Sequence, residues 1–77
     1  MQPMQRTQVS SDTVMSVGYE AATSILELEL ASQEIYQYFN VPLDKYIGLM
    51  KAVSKGTFYN HNIKSAYEYK KVREEVN

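Results

Sequence analysis

A six-residue segment in the first half of the chain alternates strictly between apolar and acidic residues. Residues 25–30 have the sequence Ile-Leu-Glu-Leu-Glu-Leu. Successive side chains of a strand point to opposite faces, whereas a helix would scatter these leucines around its circumference. The segment therefore predicts a β-strand whose leucines face a core, with Glu27 and Glu29 facing water.

Two neighbouring segments predict further strands. Residues 14–20 alternate apolar and small side chains, and residues 34–41 place Tyr36 and Tyr38 on one face. Aromatic and β-branched residues suit a pleated surface, and the connections between these segments are short. Together the three segments predict a three-stranded antiparallel meander.

The apolar period changes from two to about 3.6 after this meander. Pro42 suits the first turn of a helix, and Gly56 is expected to end that helix as a left-handed cap. A second helix is predicted over residues 57–72. The predicted fold is therefore α+β, a three-stranded antiparallel meander with two C-terminal helices packed on one face. The inward stripe of the first helix would be Leu43, Tyr46, Ile47 and Met50.

The length of 77 residues fits one small domain. Residues 1–10 are polar and aperiodic and are expected to form a disordered tail. Residues 11–72 would form the domain, and residues 73–77 would fray. The chain has no apolar run long enough for a membrane span or a signal peptide, so we expect a cytoplasmic protein without membrane contacts.

The absence of cysteine excludes a disulfide scaffold and a thiolate zinc site. The single histidine, His61, has no neighbour in the sequence that could orient it as a general base. No phosphate-binding loop, dinucleotide fingerprint or metal-spaced cluster occurs. We therefore expect no enzymatic activity, no cofactor and no metal.

A series of short motifs resembles one known family, the KTSC domain, a small module named for the C-terminus of certain lysyl-tRNA synthetases. The resemblance extends over residues 10–67. The chain departs from the family pattern in the turn at residues 31–34, which lacks the usual glycine, and at Lys64, where an arginine is expected. The matching motifs are Val17-Gly18-Tyr19, Leu26-x-Leu28-x-Leu30, Tyr36-Gln37-Tyr38, Val41-Pro42, Ala52-x-Ser54-x-Gly56, Phe58-Tyr59-Asn60 and Ile63-Lys64-x-x-Tyr67.

This resemblance implies a small bacterial module that occurs alone or attached to a tRNA-handling enzyme. It implies no particular activity. The synthetase context suggests RNA as a partner, and this suggestion rests only on the enzyme to which some members of the family are attached.

The charge distribution offers a possible surface for such a partner. Residues 1–39 carry a net charge of −4, whereas residues 40–77 carry +3. One interpretation is a phosphate-binding patch, and the other is a set of ordinary solvated helix faces, because +3 is modest for a nucleic-acid-binding domain. The candidate RNA-binding residues are Lys51, Lys55, Lys64, Tyr59 and His61.

The tyrosines Tyr36 and Tyr38 have two interpretations. Two rings on one strand face resemble a base-stacking platform. They can also complete the core beneath the helices, with their hydroxyls at the rim. We favour this second interpretation, because beyond the two predicted helices the sheet has only water to pack against.

The predicted second helix has a second apolar stripe, formed by Tyr69, Val72 and Val76, that points away from the core. Such a stripe could pack against another copy of the chain or another protein, or belong to a frayed end. If Tyr36 and Tyr38 are core residues, Ile35 and Phe39 would be exposed on the opposite face of the sheet. The alternative function is therefore a protein-interaction or homodimerisation module.

Overall fold

An antiparallel sheet of five strands runs through the computed structural model of the protein, which describes residues 5–73. The predicted meander forms its centre, and one further strand lies at each edge. The prediction of three strands was therefore incomplete. In chain order, which is also their order across the sheet, the strands are β1 (Thr7–Gln8), β2 (Val14–Glu20), β3 (Ile25–Leu30), β4 (Ile35–Tyr38) and β5 (Tyr69–Arg73).

The helices lie between β4 and β5 in the chain and pack on one face of the sheet. Helix α1 spans Leu43–Lys51, and helix α2 spans Lys55–Phe58 and continues into a π-helical turn at Tyr59–Ile63. Alternate residues of β3 and β4 meet these helices, as the apolar period predicted. The fully or nearly buried residues of the core are Val14, Val17, Leu26, Leu28, Tyr38, Val41, Leu49, Tyr59 and Ile63.

The second predicted helix is wrong in its C-terminal half. The helical segment ends at Ile63, and Tyr69–Arg73 forms β5 beside β4. The backbone N–H of Phe39 donates to the carbonyl of Glu68 at 2.9 Å, and the ring of Tyr69 lies 5.5 Å from the ring of Tyr36. Backbone pairing and ring contacts with β4 are tertiary interactions, which a single-sequence helical period cannot show.

The predicted N-terminal tail is also partly ordered. Thr7 pairs with Val17, and Gln8 pairs with Ser16, in β2. The guanidinium Nε of Arg6 donates to Ser16 Oγ at 2.9 Å, and Nη1 forms an ion pair with Glu27. This segment is held by polar contacts, so it leaves no apolar period in the sequence. The remaining tail positions 1–4, and positions 74–77, lie outside the described residues.

These polar contacts overturn the expectation that Glu27 faces water. Glu27 lies on the predicted face of β3, opposite the helices, yet only 5% of its surface is exposed. Besides the ion pair with Arg6, its carboxylate accepts a hydrogen bond from Gln37 Nε2 at 2.8 Å. Ser16 Oγ donates to Glu29 Oε1 at 3.0 Å on the same face. A polar network therefore fills this side of the sheet.

Helix α1 is rotated relative to its predicted orientation. Leu49 is buried, whereas Leu43 and Ile47 are exposed. Tyr46 stacks on Tyr19 with the ring centroids 4.9 Å apart, which fixes the side of the helix that faces the sheet. The predicted inward stripe is therefore wrong for Leu43 and Ile47.

Gly56 does not act as a left-handed helix cap, because no glycine in residues 5–73 has a positive φ. It lies inside α2, where an added Cβ would be 2.7 Å from Thr13 Oγ1. The absence of a side chain at Gly56 thus allows the segment before β2 to touch the helical layer.

The turn between β3 and β4 holds a non-glycine residue in the left-handed region, since Gln33 has φ 75°. A Cβ in that region costs about 1 kcal/mol, and glycine avoids this cost. We expect Gln33→Gly to raise the free energy of unfolding by about 0.5–1 kcal/mol. Urea unfolding measures the change. Gln33→Ala retains the Cβ and serves as the control; equal stability of the two variants would contradict the prediction.

The Arg6–Glu27 ion pair should make a measurable contribution to stability. Arg6→Ala leaves a buried carboxylate without its charged partner, and we expect it to cost about 2 kcal/mol in the free energy of unfolding. In a Glu27→Gln background the same change should cost much less, because no buried charge is left. A double-mutant cycle with no coupling between the two positions would rule out this account.

Candidate functional site

Four tyrosines line a cleft of about 310 Å³ where β4, β5 and the π-helical turn meet. We call it the tyrosine cleft. Two side chains of β4 and one of β5 reach it because they lie on the helix-facing side of the sheet. The π-helical turn contributes Tyr59 and Asn60, and Lys64 follows directly after the turn. Its lining residues are Thr13, Leu30, Glu34, Tyr36, Tyr38, Tyr59, Asn60, Lys64 and Tyr69.

The rings of the cleft form a continuous aromatic surface. Tyr69 contacts both Tyr36 and Tyr38, with centroids 5.5 Å apart in each pair, and Tyr38 meets Tyr59 at 6.0 Å. Tyr38 and Tyr59 are 2% and 4% exposed, whereas Tyr69 is 57% exposed. Two buried tyrosines therefore make the floor, and Tyr69, with the half-buried Tyr36, offers ring surface to a ligand.

The floor is joined by a hydrogen bond of 2.6 Å between the hydroxyls of Tyr38 and Tyr59. Burial raises the pKa of Tyr38, and the hydrogen bond to Tyr59 raises it further. Burial also raises the pKa of Tyr59, against the opposing effect of the hydrogen bond to Tyr38. Both phenols are thus neutral at physiological pH, which suits a structural floor better than a nucleophile or base.

Charged groups stand at the edge of the cleft. Lys71 Nζ lies 2.9 Å from Glu34 Oε2 and 5.9 Å from the centroid of the Tyr36 ring. The hydrogen bond from Lys71 lowers the pKa of Glu34, so this carboxylate is ionised at neutral pH. Lys64 lines the cleft and forms no ion pair within residues 5–73. Its ammonium group is therefore available to an anionic ligand.

A second, larger depression of about 540 Å³ adjoins the tyrosine cleft and shares Thr13 and Asn60 with it. We call it the polar groove. Ser11 Oγ accepts hydrogen bonds from the backbone N–H groups of Thr13 and Val14, which shapes one wall. Its lining residues are Ser10, Ser11, Asp12, Thr13, Val53, Ser54, Lys55, Gly56, Thr57 and Asn60.

The second wall of the polar groove is the start of α2. Ser54 Oγ accepts a hydrogen bond from the backbone N–H of Thr57 at 3.3 Å and donates to Thr57 Oγ1 at 2.9 Å. Serine is preferred at the position before the first turn of a helix because its hydroxyl can accept a hydrogen bond from a backbone N–H group of that turn. The two walls are in contact where the side chain of Thr13 packs against Gly56.

The five residues predicted from the sequence to bind RNA do not lie at one site: three line the two depressions and two lie outside both. Tyr59 and Lys64 line the tyrosine cleft, and Lys55 lines the polar groove, where its Nζ donates to the carbonyl of Ala52 at 3.1 Å. Lys51 and His61 are exposed and belong to the lining of neither depression. Two of the five thus meet at one site, and a third lies in the depression beside it.

The predicted interface stripe does not exist as a helical face, because two of its residues lie in β5. Tyr69 and Val72 are both exposed, but they are three positions apart in a strand and therefore point to opposite faces. Val76 lies outside the described residues. On the far face of the sheet, Ile35 is buried and Phe39 half-buried, so the expected exposure of Ile35 was wrong.

Several cleft residues were missed in the sequence analysis. Tyr69 was assigned to a helix, and Glu34 and Asn60 of the cleft were not proposed as site residues; neither was Asp12 of the adjoining polar groove. The alternation of Tyr69 and Lys71, which share one strand face, was the signal available.

Within residues 5–73, no group of three or more metal-ligating side chains is placed to hold a metal ion. No helix in this part of the chain is long and apolar enough to cross a membrane.

The fold and site together define a small α+β module with an aromatic cleft at one sheet edge. Comparison with known families identifies it further, because the KTSC domain model matches residues 10–67. The chain therefore belongs to the KTSC domain family. The matched region contains Tyr36, Tyr38, Tyr59 and Lys64 of the cleft, whereas Tyr69 lies beyond it.

Similar proteins include free-standing and attached forms. The crystal structure of a KTSC domain protein from Yersinia pestis has a TM-score of 0.88 and 38% identity, and covers 92% of this chain and 100% of its own. An uncharacterized protein of Stutzerimonas stutzeri is 34% identical over 61 residues, which span 79% of this chain and 86% of that protein. A lysine–tRNA ligase of Nostoc sp. is 41% identical over 59 residues, which span 77% of this chain but only 10% of the ligase.

The hydroxyl pair on the cleft floor predicts a stability loss at high pH. The pKa of Tyr38 is higher in the folded than in the unfolded protein. The contribution of this phenol to the free energy of unfolding is therefore complete below about pH 10 and is lost as the pH rises further. Each phenol that ionises only on unfolding makes the free energy of unfolding fall by about 1.4 kcal/mol per pH unit in this range. We expect Tyr38→Phe to flatten this slope in urea unfolding between pH 9 and 11; an unchanged slope would contradict it.

The same variant tests the hydrogen bond at neutral pH. Tyr38→Phe leaves the buried Tyr59 hydroxyl without its partner, which should cost about 1–3 kcal/mol. The double variant Tyr38→Phe, Tyr59→Phe removes both hydroxyls and should recover part of this loss. Additive losses in the double variant would show that the hydroxyls do not interact.

Proposed function

We propose that this KTSC domain is a non-catalytic module that binds single-stranded RNA weakly, with one unstacked base in the tyrosine cleft. The observation that carries the proposal is the combination of accessible tyrosine rings with the ammonium group of Lys64 at the same site. Proteins that bind single strands stack bases on aromatic side chains and hold the backbone with cations.

The size and shape of the cleft favour one base. A volume of about 310 Å³ is at the small end of ligand pockets, and its apolar surface comes from rings that match the flat face of a base. Tyr69 is the most exposed ring and stands at the entrance. Stacking on such a ring contributes about 1–3 kcal/mol per base and tolerates any base identity.

The charges support binding that is weak and sensitive to salt. Lys64 and Lys71 are close to the cleft, but Lys71 is paired with Glu34, and the whole chain has a net charge of −1. Few phosphates can therefore be neutralised at one time. Affinity should fall with salt along a shallow slope of about 0.7 per phosphate contact for a single strand.

The relatives support RNA as the partner by association. The matched part of the Nostoc protein is a tenth of a lysine–tRNA ligase, and the enzyme's own activity resides in a protein far longer than this chain.

Catalysis is not supported by the side chains of the site. The floor phenols are neutral at physiological pH because burial raises their pKa values, and His61 is exposed outside both depressions. A cytoplasmic location remains a prediction.

Self-association through β5 is the alternative function. β5 is an edge strand of the described sheet, and Tyr69 and Val72 are exposed on it. The two adjacent lysines, Lys70 and Lys71, place like charges along this edge, which disfavours pairing with a second copy. The geometry therefore favours RNA, and sedimentation at high protein concentration tests the alternative directly.

Fluorescence anisotropy with a labelled uridine hexamer tests the RNA proposal. Tyr69→Ala should weaken binding by about five- to a hundredfold through lost stacking. Lys64→Ala should weaken it and lower the slope of log K against log salt by about 0.7. Tyr69→Ala removes an exposed ring, so circular dichroism should confirm that both variants are folded.

Lys51→Ala is the matched control, because it removes the same charge from a position outside both depressions. It should leave the affinity for the hexamer close to that of the parent protein. If Lys51→Ala and Lys64→Ala reduce the affinity equally, only diffuse charge is involved and the cleft is not the site. If the hexamer does not bind at low salt, the proposed function is wrong.

A further inference from the structure

We infer that the polar groove binds the ribose of the nucleotide whose base occupies the tyrosine cleft, and that it thereby distinguishes RNA from DNA. This inference rests on the proposed function, because it needs a base in the cleft. It assigns a role to the larger of the two depressions, which lies beside the aromatic surface.

The two depressions are adjacent. Thr13 and Asn60 line both of them and therefore form the boundary between the tyrosine cleft and the polar groove. A base and its ribose are joined by one covalent bond, so a base that stacks on Tyr69 with its sugar toward Thr13 and Asn60 would bring that sugar to the boundary of the cleft. The boundary formed by Thr13 and Asn60 leads into a groove of about 540 Å³.

The side chains of the polar groove suit a sugar. Hydroxyls, an amide and a carboxylate line it, and these groups can accept from and donate to ribose hydroxyls. Several hydroxyls are already committed, since Ser11 Oγ accepts from the backbone of Thr13 and Ser54 Oγ pairs with Thr57. The carboxylate of Asp12 is exposed and has no hydrogen bond or ion pair within residues 5–73. It is the acceptor that a ribose hydroxyl can use.

The charge of Asp12 decides between a sugar and a phosphate in this groove. A carboxylate repels a phosphate but accepts a hydrogen bond from a neutral hydroxyl, as acidic side chains do from ribose in dinucleotide-binding folds. The ammonium group of Lys55, the cation in the groove lining, donates one hydrogen bond to the carbonyl of Ala52, and the carboxylate of Asp12 in the same lining offsets its charge. Phosphates would therefore stay near Lys64, while the ribose enters the groove.

The walls of the groove are held in place before a ligand arrives. Thr13 lies against Gly56 so closely that an added Cβ would be 2.7 Å from its Oγ1. The backbone N–H groups of Thr13 and Val14 are both bound to Ser11 Oγ. Asp12 lies inside this short turn, so its position relative to Asn60 on the opposite wall is restricted. A hydrogen bond to a ligand then requires little ordering of the protein.

The 2′-hydroxyl is the group that separates RNA from DNA when the bases are the same. We would compare hexamers of uridine, 2′-deoxyuridine and 2′-O-methyluridine by competition against the labelled uridine hexamer at low salt. One hydrogen bond from the 2′-hydroxyl should make the uridine hexamer bind about fivefold more tightly than the deoxy hexamer. The 2′-O-methyl hexamer, which cannot donate, should bind no more tightly than the deoxy hexamer.

Variants at Asp12 locate the preference. Asp12→Ala should bring the ratio of RNA to DNA affinity close to one, even if the loss of a negative charge strengthens binding of both hexamers. Asp12→Asn keeps an acceptor oxygen at the same position and should retain most of the ratio. Asp44→Ala is the matched control, because it removes an exposed aspartate at the start of α1, outside both depressions, and should leave the ratio unchanged.

The outcomes separate this inference from the function on which it rests. If the uridine and deoxyuridine hexamers bind equally, and Lys64→Ala weakens both, the groove does not recognise ribose although the cleft binds single strands. A preference for RNA that survives Asp12→Ala would also overturn the inference, since another group would then read the 2′-hydroxyl. If neither hexamer binds, the proposed function fails, and the inference fails with it.

Discussion

The hydrogen bond between the buried hydroxyls of Tyr38 and Tyr59 joins the sheet to the helical layer of this domain. One tyrosine comes from the end of β4 and the other from the π-helical turn, and the distance between their oxygens is 2.6 Å. Buried hydroxyls must be paired, so the sheet and the turn can pack only in the register that brings these groups together. The same register brings Lys64 to the cleft that Tyr36 and Tyr69 line.

Local periodicity was sufficient for much of the fold. The alternation of leucine and glutamate identified β3 and its core-facing residues, and Pro42 marked the start of α1 correctly. The motifs of residues 10–67 indicated the KTSC family, as the family comparison confirmed. The two edge strands were not predicted, because β1 is held by the side chain of Arg6 and β5 by contacts with β4, and both sets of contacts are distant in sequence. The burial of Glu27 follows from the same long-range docking.

The candidate site was less accessible to sequence analysis than the fold. Counting charges by region pointed to Lys64 and Lys55, which do line depressions, but it treated Lys51 as their equal. A charge count contains no information about which cations share a concave surface. Tyr69 and Asp12 lie 57 positions apart and belong to adjoining depressions. The antiparallel pairing of β5 with β4 positions Tyr69, and the contact of Thr13 with Gly56 brings the segment that holds Asp12 to the helical layer.

The Arg6 contact has a practical consequence for how the domain can be attached to other proteins. Arg6 lies against the sheet face that carries Glu27, and β1 is the strand farthest from β5 in the sheet order. A fusion partner or purification tag joined ahead of Arg6 would therefore begin at the edge opposite the tyrosine cleft. Linkers at this end would leave the aromatic surface unobstructed, whereas a linker that continues from β5 would start beside it.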